Sequence, residues 1–225
     1  MERVKIIQLS SDPEAEREVR SFESLSKLGY RYIRMINPRY SEFPPTHNVF
    51  DGRIDWIVGI TKPDPNKFGL TSGHYGAWQG HTSCILSSFC DDDYTIICEC
   101  DCIINVDDDH FRDMVSEAIN AIKMGYKIAR FEGTTPKCNV GKKISDNMWE
   151  CDLLTLGHCY MISSRDMYWW MEKIRSVGWH TPDWWINFVF ERSGEKMACF
   201  GDSVLTKQAS GFSLIDNTER EEKLR

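Results

Sequence analysis

The sequence lacks long hydrophobic runs and clusters of positive charge. No apolar stretch approaches the ~20 residues that cross a membrane, and the first residues, MERVKII, lack the apolar middle of a secretory signal peptide. With 27 basic residues, 34 acidic residues and a formal net charge of -7, the chain offers no basic face to nucleic acid or to an anionic membrane. We therefore expect a cytoplasmic protein that binds neither.

The sequence also lacks a disulfide framework. Its nine cysteines are an odd number, and together with the absent signal peptide they predict reduced thiols in a reducing compartment. Cys98, Cys100 and Cys102 alternate along one predicted strand, so we expect all three on one face as core thiols. A C-x-C metal site is the alternative, although no His/Cys pair at zinc-finger spacing accompanies it.

What the chain does have is an apolar stretch that carries two acids, Tyr94 to Asn105, which reads YTIICECDCIIN. A β-branched run bounded by polar clusters predicts a buried strand. On such a strand Glu99 and Asp101 share a face, roughly 7 Å apart, and they repel each other unless a cation or protons lie between them. Oxygen ligands select Mg²⁺ or Mn²⁺. The pair therefore predicts a metal-diphosphate site, with solvated loop-edge acids as the alternative.

The order of the remaining elements indicates an α/β fold. The chain opens with a strand at 4–9, a helix that starts at Ser11 or Asp12 and ends at Gly29, and a strand at 30–36. Further elements are predicted in this order: a strand or helix at 54–60, helices from residue 71 and from 107 to 125, a strand at 126–131, a polar surface excursion at 134–150, a strand near 159–162, helices from 163 or 164 and from 182, and a strand at 197–200.

The helix that begins at Thr71 or Ser72 carries candidate ligand-binding residues. His74, Trp78 and His81 recur at helical intervals, and the free backbone amides of a helix start attract phosphate. Packing of these side chains between helix and sheet is the alternative account, and for His81 the two accounts stay open.

Six short motifs give the chain a resemblance to a known family. They are VKIIQL (4–9), GHYGAWQGH (73–81), IICECD (96–101), GHCYMIS (157–163), PDWW (182–185) and VLTKQAS (204–210). Their order resembles that of the GT-A glycosyltransferases, and the most similar pattern is that of glycosyltransferase family 25, the lipopolysaccharide and collagen galactosyl- and glucosyltransferase type. The chain departs from that pattern where Glu99-Cys100-Asp101 replaces an all-aspartate motif and where Gln79-Gly80-His81 replaces Ser-His.

The resemblance implies a single GT-A-like catalytic domain at 1–216, built on a mixed, mainly parallel sheet flanked by helices. Residues 217–225 are expected to form a charged tail, either a frayed helix or disordered. The implied activity is that of a hexosyltransferase, which moves a sugar from a nucleotide-diphosphate sugar, UDP-hexose above others, to a glycan, glycoconjugate or other hydroxyl acceptor, with Mn²⁺ or Mg²⁺ and with inversion.

The resemblance also assigns residues to the donor side of the site. Asp101 is expected to bind the metal directly, and Glu99 to bind ribose or sugar hydroxyls or the metal. The residues expected to line the nucleotide pocket are Gln8, Leu9, Ser10, Thr71, His74 and Trp78. His158, His180 and Asp202 compete for a third metal contact, with His158 favoured.

On the acceptor side, Asp183 is the implied general base, and Trp184 or Trp185 is expected to stack on a sugar face. A helix-cap role is the alternative for Asp183. Rival functions are an Mg²⁺-dependent nucleotidyltransferase or phosphohydrolase, and a non-catalytic carbohydrate-binding module, which the eight tryptophans suggest. A homo-oligomer is compatible with the sequence.

Overall fold

The structure is a computed structural model that describes residues 2–37, 72–89, 92–131, 140–152, 158–201, 206–208, 211–212, 219–220 and 223–224. The helices in these ranges are α1 (Glu16–Ser26), α2 (Ser72–Ser87), α3 (Asp108–Lys123), α4 (Met167–Val177) and α5 (Pro182–Ser193), with a 3-10 turn at Ser164–Asp166 before α4. In these ranges no helix combines the length and apolar character that crossing a membrane requires.

The strands are β1 (Val4–Ser10), β2 (Arg31–Ile36), β3 (Tyr94–Cys98), β4 (Cys102–Ile104), β5 (Ala129–Arg130), β6 (Val140–Lys143), β7 (Met148–Cys151), β8 (Cys159–Ser163), β9 (Met197–Phe200), β10 (Thr206–Gln208), β11 (Gly211–Phe212), β12 (Glu219–Arg220) and β13 (Lys223–Leu224). Eight of them form one mixed sheet in the order β2-β1-β3-β8-β5-β9-β7-β6. The pairs β1–β2, β1–β3 and β5–β9 are parallel, and the other pairs are antiparallel. This arrangement confirms the predicted α/β class.

The main sheet is covered on both faces. Alternate residues of β1 and β3 point to opposite sides, so Ile6 and Ile96 belong to one apolar cluster and Ile7 and Ile97 to the other. The first cluster includes side chains of α1 and α3, and the second is rich in tryptophans from α2, α4 and α5. The near-continuous apolar runs of β1 and β3 are typical of strands buried on both faces.

A second, three-stranded sheet in the order β13-β10-β4 adjoins the first. β4 pairs antiparallel with β10, in the register Ile104 opposite Thr206. The chain therefore leaves the main sheet after Cys98 and enters another sheet at Cys102. The predicted single strand over 94–105 is wrong, and the residues between the two strands form a turn.

Several element boundaries also differ from the predictions. α1 begins at Glu16 because the backbone first turns over Pro13, where Ala15 N donates to Asp12 O at 2.9 Å. The stretch predicted as a polar surface excursion, 134–150, includes residues of β6 and β7. β6 pairs with β7, and β7 pairs with β9. Within the tail expected to be helical or disordered, β12 pairs with β11 and β13 with β10. The segment predicted at 54–60 lies outside the described residues.

Candidate active site

The two acids lie in a tight turn at the carboxyl end of β3. Cys102 N donates to Glu99 O at 3.2 Å, which closes the turn, and Glu99 N donates to the carbonyl of His158 at 2.8 Å. The expectation that both acids project from one face of a continuous strand is therefore wrong, although both follow a central strand of the sheet. Asp101 is 5% exposed and the Glu99 side chain is 25% exposed, so neither projects into bulk solvent.

Helix α2 brings His81 to this turn. The His81 ring is buried, with Nε2 at 3.2 Å from Glu99 Oε1 and Nδ1 at 2.9 Å from the Tyr160 hydroxyl. Because a carboxylate only accepts hydrogen bonds, Nε2 carries the ring hydrogen and donates a hydrogen bond to Glu99 Oε1. In a neutral ring Nδ1 then accepts from Tyr160. His81 therefore orients Glu99 through a hydrogen-bond chain that runs from Tyr160 through His81 to Glu99.

The predicted metal ligands are near one another along the backbone but do not form a ready-made ligand set. His158 is buried, and its Nε2 lies 2.7 Å from the Thr206 hydroxyl. Across the described residues, ligand atoms of Glu99, Asp101 and His158 are not grouped within metal-binding range. Carboxylate oxygens still suit a hard cation, which usually completes its shell with water and phosphate oxygens. Asp202, a rival for the third contact, lies outside the described residues.

The loop after β1 is held by a residue that the sequence did not single out, Glu18. This carboxylate is 0% exposed. Its Oε2 accepts from the Ser10 hydroxyl at 2.6 Å, and its Oε1 accepts from Ser11 N at 3.0 Å, Ser11 Oγ at 2.9 Å and Asp12 N at 3.0 Å. An acid in the first turn of a helix is typical of an interaction with the helix dipole, and the sequence contains no separate signal for this buried role.

Most of the residues predicted to line a nucleotide pocket are buried. Gln8 is 0% exposed, donates to Ser21 Oγ at 2.6 Å and accepts from the Tyr32 hydroxyl. Leu9, Ser10 and Trp78 are also buried, and Leu9 and Trp78 belong to the tryptophan-rich core cluster. Their side chains thus support the carboxyl ends of β1 and β3. Thr71 lies outside the described residues.

The predicted acceptor side is built around the start of α5. Thr181 occupies the cap position and Pro182 begins the helix, so Asp183 lies in the first turn and is partly exposed. Trp184 is 45% exposed, whereas Trp185 is 0% exposed and packs in the core. Of the two tryptophans, only Trp184 presents a ring surface to a ligand.

Helix α2 also connects the start of α5, the predicted acceptor side, to the acidic turn. Burial, and to a lesser extent the nearby charge of His74, lower the pKa of His180. The ring of His180 accepts from Thr181 N through Nδ1 at 2.8 Å. His74 and His81 are two helical turns apart, about 10 Å along the axis. One helix therefore contacts Glu99 near its middle and approaches the start of α5 near its beginning.

The cysteines differ from the expected arrangement. Cys98 and Cys102 lie in the same apolar cluster as Cys159, whereas Cys100, at the tip of the turn, accepts a hydrogen bond from Arg17 at 3.6 Å. The prediction that Cys98, Cys100 and Cys102 share a face is wrong because the turn rotates Cys100 away. Cys151 is disulfide-bonded, so the expectation of reduced thiols throughout is also wrong.

Comparisons with known proteins support the fold and leave the family open. No protein-family model matches the chain, and no curated protein matches it. Among solved structures, A197 from STIV matches 98% of this chain and 94% of its own at 11% identity, with a TM-score of 0.50. At that identity the match shows a shared fold only.

Two further solved structures match at lower scores. A mannose-1-phosphate geranyltransferase from Thermus thermophilus covers 89% of this chain and 74% of its own, at 9% identity and a TM-score of 0.44. A glycosyltransferase involved in the glycosylation of the major capsid of PBCV-1 covers 76% and 65%, at 11% identity and a TM-score of 0.35. These scores carry no functional argument, and the likeness to glycosyltransferase family 25 stays a hypothesis from sequence motifs.

Proposed function

We propose that this chain is a metal-assisted glycosyltransferase that moves a hexose from a nucleotide-diphosphate sugar, UDP-hexose above others, to a hydroxyl of a glycan or glycoconjugate. One observation carries the proposal: a turn with two acids, Glu99 and Asp101, follows a central strand, and a buried histidine fixes one of the acids. Open α/β sheets bind ligands beyond the carboxyl ends of their strands, and the turn lies at such an end.

On the donor side, Asp101 holds Mn²⁺ or Mg²⁺ and Glu99 binds ribose or sugar hydroxyls. The bound cation supplies charge neutralisation for the diphosphate leaving group. The contact with the buried His81 ring keeps the Glu99 carboxylate in one orientation, so less side-chain freedom is lost when the donor binds. The loop of Ser10 to Asp12, held by Glu18, forms the neighbouring wall of the nucleotide pocket.

On the acceptor side, Asp183 is the general base. It takes the proton of the acceptor hydroxyl while that oxygen attacks the anomeric carbon, and the bond from this carbon to the diphosphate oxygen breaks on the opposite face, which inverts the configuration. Partial exposure leaves Asp183 accessible to an acceptor, and the half-exposed Trp184 provides an apolar surface for a sugar ring.

The first experiment is a donor screen by thermal denaturation. UDP-, GDP- and CMP-sugars are added to the full chain with and without Mn²⁺, because a ligand that binds only the folded state raises the melting temperature. We expect a Mn²⁺-dependent rise with one nucleotide class. A flat response to all of them contradicts the proposal.

Variants then test the assigned roles with the donor that binds. Asp101→Asn is expected to lower kcat/KM about 100-fold or more, since metal-assisted charge stabilisation is worth several kcal/mol. Asp183→Asn is expected to lower kcat about 100-fold or more while donor binding is kept. Asp109→Asn, an exposed acid on α3, serves as the control with unchanged turnover.

The products separate the rival functions. Release of nucleoside diphosphate together with a glycosylated acceptor supports the transferase. Release of pyrophosphate or of inorganic phosphate overturns it in favour of a nucleotidyltransferase or phosphohydrolase. Glycan binding that persists in Asp101→Asn, with no turnover in the unmodified chain, overturns it in favour of a carbohydrate-binding module.

A further inference from the structure

Three buried thiols lie close together next to the acidic turn. The Sγ atoms of Cys98, Cys102 and Cys159 all lie within 4.8 Å of one another, and those of Cys98 and Cys159 are 3.5 Å apart. All three residues are 0% exposed and none is disulfide-bonded. They come from three elements: the end of β3, the start of β4 and the start of β8.

We propose that Cys98, Cys102 and Cys159 form a thiolate site for Zn²⁺, separate from the carboxylate site on the turn above it. In the described part of the chain, this is the one group of three or more potential ligand residues whose ligand atoms lie close enough to share an ion. Soft sulfur ligands select zinc-type ions, whereas Mg²⁺ and Mn²⁺ prefer the oxygen ligands of the turn. The two sites therefore bind different classes of metal.

The spacing of the sulfurs fits zinc with small movements. Zn–S bonds of about 2.3 Å in a tetrahedral site place the sulfur atoms about 3.8 Å apart, within the range of distances seen here. Cys98 and Cys102 have three residues between them, as in C-x₂₋₄-C zinc motifs. The three sulfurs supply three of the four ligands of a tetrahedral zinc ion, which leaves one position for a small ligand such as water.

Charge favours a divalent ion over a monovalent one. Three thiolates carry a charge of -3 into an apolar cluster, where uncompensated charge is costly. Zn²⁺ leaves a net charge of -1, whereas a monovalent ion leaves -2. Binding releases the three thiol protons to solvent, so the reaction is three thiols and one Zn²⁺ giving the complex and three protons.

The site has a structural consequence for the turn. Cys98 and Cys102 flank the segment with Glu99 and Asp101, and Cys159 follows His158, whose carbonyl accepts from Glu99 N at 2.8 Å. An ion bound by all three sulfurs therefore links both ends of the turn to β8. It fixes the backbone from which the two acids project.

The test is a Co²⁺ titration of the full chain, reduced with a non-thiol phosphine and stripped of metal. Co²⁺ replaces Zn²⁺ in thiolate sites and gives an intense near-ultraviolet thiolate-to-cobalt band, which carboxylate-bound Co²⁺ lacks. We expect one equivalent of Co²⁺ to produce this band and one equivalent of Zn²⁺ to abolish it. Absence of the band in the unmodified chain overturns the proposal without any variant.

Cys102→Ser and Cys159→Ser are each expected to weaken the band and lower Co²⁺ affinity by about 10-fold or more. Two variants are used because either one alone can fail to fold. The control is Cys84→Ser, which removes an equally buried thiol on α2 outside the cluster and should leave the titration unchanged. An unchanged titration in a folded Cys102→Ser or Cys159→Ser variant contradicts the site, as does a Cys98–Cys159 disulfide that persists after reduction.

Discussion

Replacement of Glu18 by glutamine tests how the loop after β1 is held. The Glu18 carboxylate is fully buried and accepts four hydrogen bonds, one from Ser10 through Oε2 and three from Ser11 and Asp12 through Oε1. Glutamine keeps one acceptor oxygen but replaces the other with an NH₂ donor, and it removes the charge that strengthens all four bonds.

The expected cost follows from which donors water can reach. Ser11 and Asp12 are partly exposed, so water replaces part of the hydrogen bonding that they lose. The Ser10 side chain is buried, and its hydroxyl must rotate to accept a hydrogen bond from the new amide. With a net value of about 1 kcal/mol for a typical hydrogen bond and more for a charged one, we expect a loss of about 1–2 kcal/mol. In a chain of this size that corresponds to a fall in Tm of about 2–8 °C.

The assay combines thermal denaturation with donor kinetics. Because the change loosens a wall of the proposed pocket, donor KM should rise while kcat changes little. Glu23→Gln, an exposed glutamate on the same helix, is the control and should match the unmodified chain in both measurements. A Glu18→Gln protein with unchanged Tm would refute the claim that this carboxylate holds the loop. A lower Tm with unchanged donor KM would refute the claim that the loop lines the donor pocket.

Two further outcomes follow from the histidines of the site. His81→Gln should raise donor KM about 10-fold, as loss of an orienting contact typically does, and should change kcat less. Steady-state kinetics measure both constants. A fall in kcat of about 10-fold with unchanged KM would contradict the role of His81 in positioning Glu99. Burial, aided by His74, lowers the pKa of His180, so the unfolded chain binds this proton more readily and stability falls as pH drops below about 6.5. The slope of Tm against pH should flatten in His180→Gln, and identical slopes would contradict this contribution.

The sequence predicted most of the main sheet because its signals are local. The apolar runs of β1 and β3, the alternation of β2 and the Asp107 cap of α3, whose side chain accepts from His110 N at 2.9 Å, depend on neighbours within a few residues. The PDWW motif likewise predicted a helix start at Pro182. Elements of this kind are readable because periodicity and capping act over one or two turns.

The sequence could not predict the break at Glu99 because the alternation of residues continues across it. What decides the break is pairing with distant strands: β3 pairs with β8, whereas β4 pairs with β10. Local pattern also could not separate Trp184 from Trp185, since exposure depends on which helices cover α5. The buried role of Glu18 and the meeting of Cys102 with Cys159 depend on tertiary contacts in the same way.

The acidic turn is held by contacts with several separate parts of the chain. Its backbone is bonded to His158, its first acid to His81, and its flanking residues enter two different sheets. Asp101 is buried although the turn lies at the carboxyl end of a strand. A donor that meets carboxylates already fixed in place loses less conformational entropy on binding. Weakening any one of these supports should therefore act first on donor affinity, whereas removal of the Asp101 carboxylate itself should lower kcat/KM of the proposed reaction about 100-fold or more.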